Sequence, residues 1–138
     1  MELMRVMPVT SSNAGDLASL CIPEGAESDA LWIRAIESKR QWILDRLESL
    51  GTFAWLACHG EKPAGMIQCH PERNGIDICF IDCMWVPRKP CWGSGIGSRL
   101  LAEVMAVMRC GHPWFDGKPA DGIAARALLE RDVARMST

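Results

Sequence analysis

The sequence predicts a single domain, residues 1–138, of the α+β class (α/β three-layer): a mixed, mostly antiparallel sheet flanked by helices. Three observations predict it. Apolar segments separated by Gly, Pro and Asn clusters recur between about Thr52 and Val86, the pattern of an antiparallel meander. A long stretch of helical periodicity precedes them, from Ser28 or Asp29 to Leu50. A second amphipathic stretch follows them, opened by glycines at 93, 95 and 97.

In chain order, Leu3–Val9 reads as a short strand, and Ser11 and Ser12 as caps for a first helix reaching about Cys21. Ile22-Pro23-Glu24-Gly25 then breaks the chain. In the long helix, Trp32, Ile36, Ile43, Leu47 and Leu50 share one face with Ile33 beside them, and Gly51 is the stop residue. Glu37, Lys39, Arg40, Asp45 and Glu48 make the solvated face.

Thr52–His59, Ala64–His70 and Ile76–Val86 are the three strands of the meander. Gly60-Glu61-Lys62-Pro63 and Pro71-Glu72-Arg73-Asn74-Gly75 are their turns, and Pro87 stops the last strand. Ile96, Leu100, Leu101, Val104, Val107 and Met108 form the inward stripe of the next helix, ended by Gly111-His112-Pro113. A last helix is expected from about Ala120 to Arg135.

Composition excludes several classes of function. With 49% hydrophobic and 23% charged residues the chain has the balance of an ordinary globular domain, and 138 residues suffice to bury a core. A net charge of −2 with no basic cluster gives no footprint for nucleic acid. No apolar run approaches the roughly 20 residues that span a bilayer, so no membrane partner is expected and the expected location is cytoplasmic. The seven cysteines are odd in number and lack Cys-x-x-Cys spacing, so they read mainly as small buried hydrophobes rather than disulfides. Cys79 and Cys83 are too far apart on one strand face for joint ligation, and no metal is expected.

The chemistry points to the glycines. A strand, a loop and a glycine cluster opening a helix can cradle a bulky anion, because glycines permit close approach and the first helical turn offers unpaired N–H donors. The pattern lacks the Lys-Ser or Lys-Thr of an ATP-binding loop, and 93, 95, 97 is the wrong glycine spacing for a dinucleotide fold.

Met84-Trp85-Val86-Pro87, followed by Trp92-Gly93-Ser94-Gly95-Ile96-Gly97-Ser98-Arg99-Leu100-Leu101, resembles the coenzyme motif of the GCN5-related N-acetyltransferase (GNAT) superfamily. That motif is a hydrophobic strand ending in Val-x-Pro or Val-Pro, then Gln/Arg-x-x-Gly-x-Gly/Ala and a helix beginning Leu-Leu. The order of strand, two helices and meander upstream is also that of the superfamily. The resemblance covers about Leu3 to Met108 and implies a GNAT-like fold whose C-terminal part is shortened or divergent.

It also implies acetyl-CoA as co-substrate and transfer of the acetyl group to an amine of a small molecule or peptide by direct attack. Trp85 and Val86 would bind the pantetheine arm through their backbone. The segment Trp92, Gly93, Ser94, Gly95, Ile96 and Gly97 would hold the pyrophosphate, with Ser98 and Arg99 assisting. The acceptor pocket would be lined by the first two helices, with Trp32, Trp42 and the Cys21–Asp29 loop contributing.

The sequence departs from the superfamily in two places. Trp92 stands where Gln or Arg is usual. The closest counterpart of the terminal Asn-x-x-Ala-x-x-Leu-Tyr is the run from Ala125 to Arg131, which puts Leu129 in place of the tyrosine that commonly protonates the departing thiolate; the chain has no tyrosine.

For the base, Asp82 is the candidate catalytic residue, with Asp77 near the start of the same strand. The two-residue period puts Ile78, Phe80, Asp82 and Met84 on one face. His59, His70 and His112 are the other titrating candidates; each sits at an element end, where solvent exposure is expected. Two alternatives stay open: a catalytically degenerate module that binds coenzyme A, and a dimeric interaction protein. An uncovered sheet edge also suggests a homodimer with exchanged or shared C-terminal elements.

Overall fold

The structure, a computed structural model, describes residues 3–23, 25–73, 77–110, 112 and 114. Four antiparallel strands lie side by side in sequence order: β1 (Met4–Pro8), β2 (Ala54–His59), β3 (Lys62–Arg73) and β4 (Asp77–Trp85). Helices α1 (Ala14–Ser19) and α2 (Ala30–Leu50) cover one face, and α3 (Ile96–Arg109) covers the other. The α+β class and the antiparallel meander are as the sequence predicts. The helix expected at residues 120–135 lies outside the described residues.

Directly paired residues of an antiparallel ladder share a face, so the register assigns every side chain. Gly65 lies against Ile96 of α3, which puts Ile67 and Cys69 of β3 on the α3 face. Met66, Gln68 and His70 take the α1/α2 face. The core fills both interlayer spaces: Leu17, Ile43, Trp55, Leu56, Met66, Ile67, Ile96 and Leu100 are all essentially solvent-free.

β3 runs through both prolines expected to end it. Pro63 sits beside a bulge, where Ala57 pairs with Gly65, Cys58 pairs with Pro63, and Ala64 is the extra residue. Pro71 lies past the end of β2. Cys69 N–H donates to Phe53 on the β2 side at 2.8 Å, so residue 71 turns its missing donor toward the same side, where β2 has ended. A proline there removes no ladder bond.

The helices differ from expectation at their starts and faces. Asp29 caps α2 by accepting from Leu31 N–H at 2.8 Å, and Gly51 ends it at φ +73°, both as expected. Asn13, not Ser11 or Ser12, occupies the start of α1, and its side chain turns back to accept from Thr10 N–H at 2.7 Å. The apolar stripe of α2 is buried only near its end. Ile43 is fully enclosed, whereas Trp32 and Ile33 are exposed among the described residues. Of the seven free cysteines, Cys58, Cys69 and Cys79 are buried, while Cys83 and Cys110 are exposed.

His112 is buried, contrary to its expected exposure. Its Nδ1 accepts from Trp114 N–H at 3.2 Å, which leaves the proton on Nε2 to be donated to the Thr52 carbonyl at 3.0 Å. The ring is therefore neutral. Burial lowers its pKa, opposed by the bond to Thr52. The folded state thus binds a proton less readily than the unfolded chain, whose histidine titrates near 6.5. Stability from this residue is fully present above about 6.5 and falls as pH drops from there toward the lower folded pKa. Thermal melts across that window should show wild type losing more stability than His112→Asn; parallel curves would contradict this.

Candidate functional site

The two elements of the glycine motif meet because Gly65 lets them. A Cβ at Gly65 would lie 2.8 Å from Ile96 Cγ2, 3.2 Å from Val86 Cγ2 and 3.3 Å from the Trp85 carbonyl oxygen. Only glycine brings the start of α3 and the exit of β4 this close to β3. Sequence reading passed over Gly65; its one signal was a glycine inside a strand.

Pro87 ends β4, and a 3-10 turn over Lys89–Cys91 leads to the glycines. Gly93 and Gly95 have φ of +79° and +88°, the left-handed region that glycine enters without strain. A Cβ on either would meet nothing within 4 Å, so both present bare backbone to open space. Gly95 is the N-cap of α3 and offers no side chain to its first turn. Arg99 N–H is bonded to the Gly95 carbonyl at 2.9 Å, whereas the amides before it precede the intrahelical ladder.

A cleft of about 330 Å³ opens here, lined by Met84, Trp85, Val86, Cys91, Trp92, Gly93, Gly95, Ile96, Gly97, Ser98 and Leu101. Eight of the ten residues assigned to the coenzyme from the sequence are among them. Ser94 and Arg99 are not: Ser94 Oγ donates to the Cys91 carbonyl, and Arg99 is exposed on α3. Met84, Cys91 and Leu101 complete the lining and were not assigned.

Trp92, at the position of the usual Gln or Arg, donates its indole N–H to the Val86 carbonyl at 2.7 Å. It ties the loop back to the strand exit and uses one of that carbonyl's two lone pairs. The Trp85 indole donates at 3.1 Å to the Leu20 carbonyl at the end of α1.

A bulge shapes the middle of β4. Gln68 pairs with Cys83 and Cys69 with Ile81, so Asp82 is the extra residue. The strict two-residue period therefore fails there. Phe80 pairs with His70 on the α2 face, while Met84 pairs with Ile67 on the α3 face. Cys79 and Cys83, paired with Pro71 and Gln68, likewise fall on opposite faces. Cys69 and Cys79 instead share the α3 face and are hydrogen-bonded; that bond and burial raise the Cys69 pKa.

Asp82 does not lie among apolar neighbours as expected. Its Oδ1 is 2.5 Å from His70 Nδ1, and its Oδ2 accepts from Arg46 Nη2 at 2.9 Å. Arg46 lies over the Trp42 and Phe53 rings, 4.9 and 5.1 Å from their centroids, and also reaches the Cys69 carbonyl at 3.4 Å. Trp42, Arg46, His70 and Asp82 line a second, more open cleft of about 780 Å³ with Asp45, Ser49, Leu50 and Pro71. From sequence His70 is one of three titrating candidates expected in solvent at an element end, and Arg46 has no part. Neither has a local motif, because the cluster forms across three elements.

The sequence matches the model of the acetyltransferase (GNAT) family over residues 17–132. No curated protein matches it significantly. Among solved structures, a GCN5-related N-acetyltransferase from Kribbella flavida superposes with a TM-score of 0.58 at 16% identity, over 78% of this chain and 27% of that one. An acetyltransferase from Pyrococcus horikoshii gives 0.56 at 20% identity, over 75% and 34%. A GNAT-family acetyltransferase from Streptococcus pneumoniae gives 0.53 at 17%, over 95% and 83%. The chain thus spans about a third or less of the Pyrococcus and Kribbella proteins. At these identities the likeness is one of fold. No helix among the described residues is long and apolar enough to cross a membrane. With the family model matched over most of its length, the chain belongs to the acetyltransferase (GNAT) family.

Proposed function

We propose that the protein transfers an acetyl group from acetyl-CoA to an amine of a small molecule or peptide by direct attack. The observation that carries this reading is the cleft between the exit of β4 and the bare glycine backbone at the head of α3. Its residues fit the coenzyme. Gly93 and Gly95 leave room for a diphosphate against their backbone, and the first-turn amides of Ile96, Gly97 and Ser98 are donors at the positive end of a helix. Trp85 and Val86 supply strand backbone for the pantetheine amides, with Trp92 sharing the Val86 carbonyl. Apolar Met84 and Leu101 shield the arm from water. When bound, the coenzyme supplies an activated acyl carbon. The protein contributes position, desolvation and backbone dipoles near that carbon.

Asp82 of β4 is the carboxylate toward which the amine's proton is directed. The acceptor enters on the α2 face, because the cleft at the glycines occupies the α3 side of the same strand. Acceptor-dependent release of free thiol from acetyl-CoA, assayed over a panel of amines and peptides, tests this reading. Turnover with at least one amine is the expected result. Coenzyme binding without turnover over a broad panel would favour a binding module on the same fold.

A further inference from the structure

We propose that Cys21 and Cys83 form a reversible disulfide that staples the end of α1 to β4 and restricts entry of the acceptor amine; the restriction rests on the acceptor reading above. Cys83 and Trp85 pair with Gln68 and Met66, which puts both on the α1/α2 face of β4. The Trp85 indole donates to the Leu20 carbonyl at 3.1 Å, and Cys21 is the next residue. Cys83 lies two residues before Trp85, about 7 Å along the strand. One hydrogen bond thus anchors the chain at Cys21 beside the strand that carries Cys83.

A second observation brings the thiols together. Burial raises the pKa of Cys83, the Lys39 ammonium lowers it, and Cys21 raises it more than the carboxylate of the adjacent Asp82 does. Such influence falls with distance, so the two thiols are near neighbours through space. Both are within reach of a reagent: Cys83 is exposed and Cys21 partly so, whereas Cys58, Cys69 and Cys79 are buried. A disulfide needs the two Cα atoms within about 7 Å. Cys21 lies in the turn that follows α1, so it can close on Cys83 without breaking a strand ladder.

The position gives the bond a consequence. Cys83 adjoins Asp82, which lines the open cleft on the α2 face, and Lys39 brings α2 to the same stretch of β4. A staple from Cys21 to Cys83 crosses the gap between α1 and β4 beside that cleft. The glycine turn and the head of α3 lie on the other face of the sheet, so the coenzyme cleft is left as it is.

The oxidant is a small disulfide, for which oxidised glutathione is the probe. Cys83, the more exposed thiol, gives its proton to solvent and attacks one sulfur of that disulfide. The S–S bond breaks with its electron pair on the departing glutathione thiolate, which takes up a proton. Cys21, deprotonated in turn, attacks the Cys83 sulfur and expels the second glutathione in the same way. The protein loses two electrons and two protons, the glutathione pair gains them, and excess reduced glutathione runs the exchange backward.

Equilibration of the full chain with oxidised glutathione tests the bond itself. Trypsin together with a protease cleaving before aspartate isolates Cys21 in residues 16–28 and Cys83 in residues 82–88. Those two peptides should be joined, in a monomer lighter by two hydrogens, and dithiothreitol should release them. Glutathione held at both cysteines, a link between two copies, or a bond through other cysteines would overturn the pair. Cys83→Ser should lose the link. Calorimetry and kinetics then read the consequence. Oxidised wild type should bind acetyl-CoA within about twofold of the reduced protein and acetylate phenethylamine at least about tenfold more slowly. That difference should vanish in Cys83→Ser. Equal turnover in the two states overturns the restriction and leaves the coenzyme reading standing. Reduced wild type that binds acetyl-CoA but acetylates no amine overturns the restriction too, and failure to bind acetyl-CoA overturns the coenzyme reading with it. The peptide map decides the disulfide in every case.

Discussion

Gly95→Val abolishes acetyl-CoA binding in a protein that still folds: that is the largest functional effect the site predicts. Gly95 sits at φ +88° and ψ 8°, and a residue with a Cβ costs roughly 1–2 kcal/mol there. The cost to binding is separate and larger. A Cβ at this point meets no protein atom within 4 Å, so the new side chain projects into open space at a glycine that lines the cleft. Coenzyme affinity should fall about 100-fold or more, equivalent to about 2.7 kcal/mol. Gly51→Val separates strain from obstruction. Gly51 also has a positive φ, +73°, and open space around its Cβ position, but it ends α2 away from the cleft. With ψ at −151° Gly51 lies in a region that only glycine enters freely, so the variant should lose at least as much stability and still bind acetyl-CoA as the wild type does. Calorimetric titration of both variants, with thermal melts alongside, checks the pair.

Gly65→Ala has the largest expected effect on stability and on the site together. The added methyl would be 2.8 Å from Ile96 Cγ2, closer than real contacts allow, and 3.3 Å from the Trp85 carbonyl oxygen, which is backbone. Either the first turn of α3 or the exit of β4 must move. Overpacking of this kind costs about 1–3 kcal/mol. Because those two elements are the walls of the cleft, acetyl-CoA affinity should fall about tenfold as well, some 1.4 kcal/mol. Removing the obstructing branch tests the mechanism. The double variant Gly65→Ala with Ile96→Ala should be more stable than the sum of the single losses implies. Strict additivity in urea unfolding would show that the strain lies elsewhere.

The parts of this protein legible from sequence are those whose physics is local. The glycine turn could be read because a positive φ at Gly93 and Gly95 demands a residue type, and α3 because its inward stripe repeats with the helical period. Asp29 and Gly51 bounded α2 for similar reasons. What escaped depends on partners distant in the chain. Pro71 looked like a strand breaker, yet it is harmless where β2 has already ended. The bulge at Asp82 leaves no signature in β4 itself, and it reverses which face Met84 and Cys83 occupy. His112 was expected in solvent because it follows a helix, but the carbonyl of Thr52, 60 residues earlier, accepts a hydrogen bond from its buried ring. The candidate site divides in the same way. Its coenzyme half lies in one contiguous motif, whereas the Arg46, Asp82 and His70 cluster joins α2, β4 and β3.

The central claim is that acetyl-CoA binds where the exit of β4 meets the glycine turn at the head of α3. A titration of 15N-labelled protein with acetyl-CoA, followed by 1H–15N correlation spectra, tests it most directly. Saturable shifts should be largest at the amides of Trp85, Val86, Gly93, Gly95, Ile96, Gly97 and Ser98. They should be small along the rest of β1 and β2. Saturable shifts centred elsewhere, or none as acetyl-CoA rises to millimolar concentration, would contradict the account.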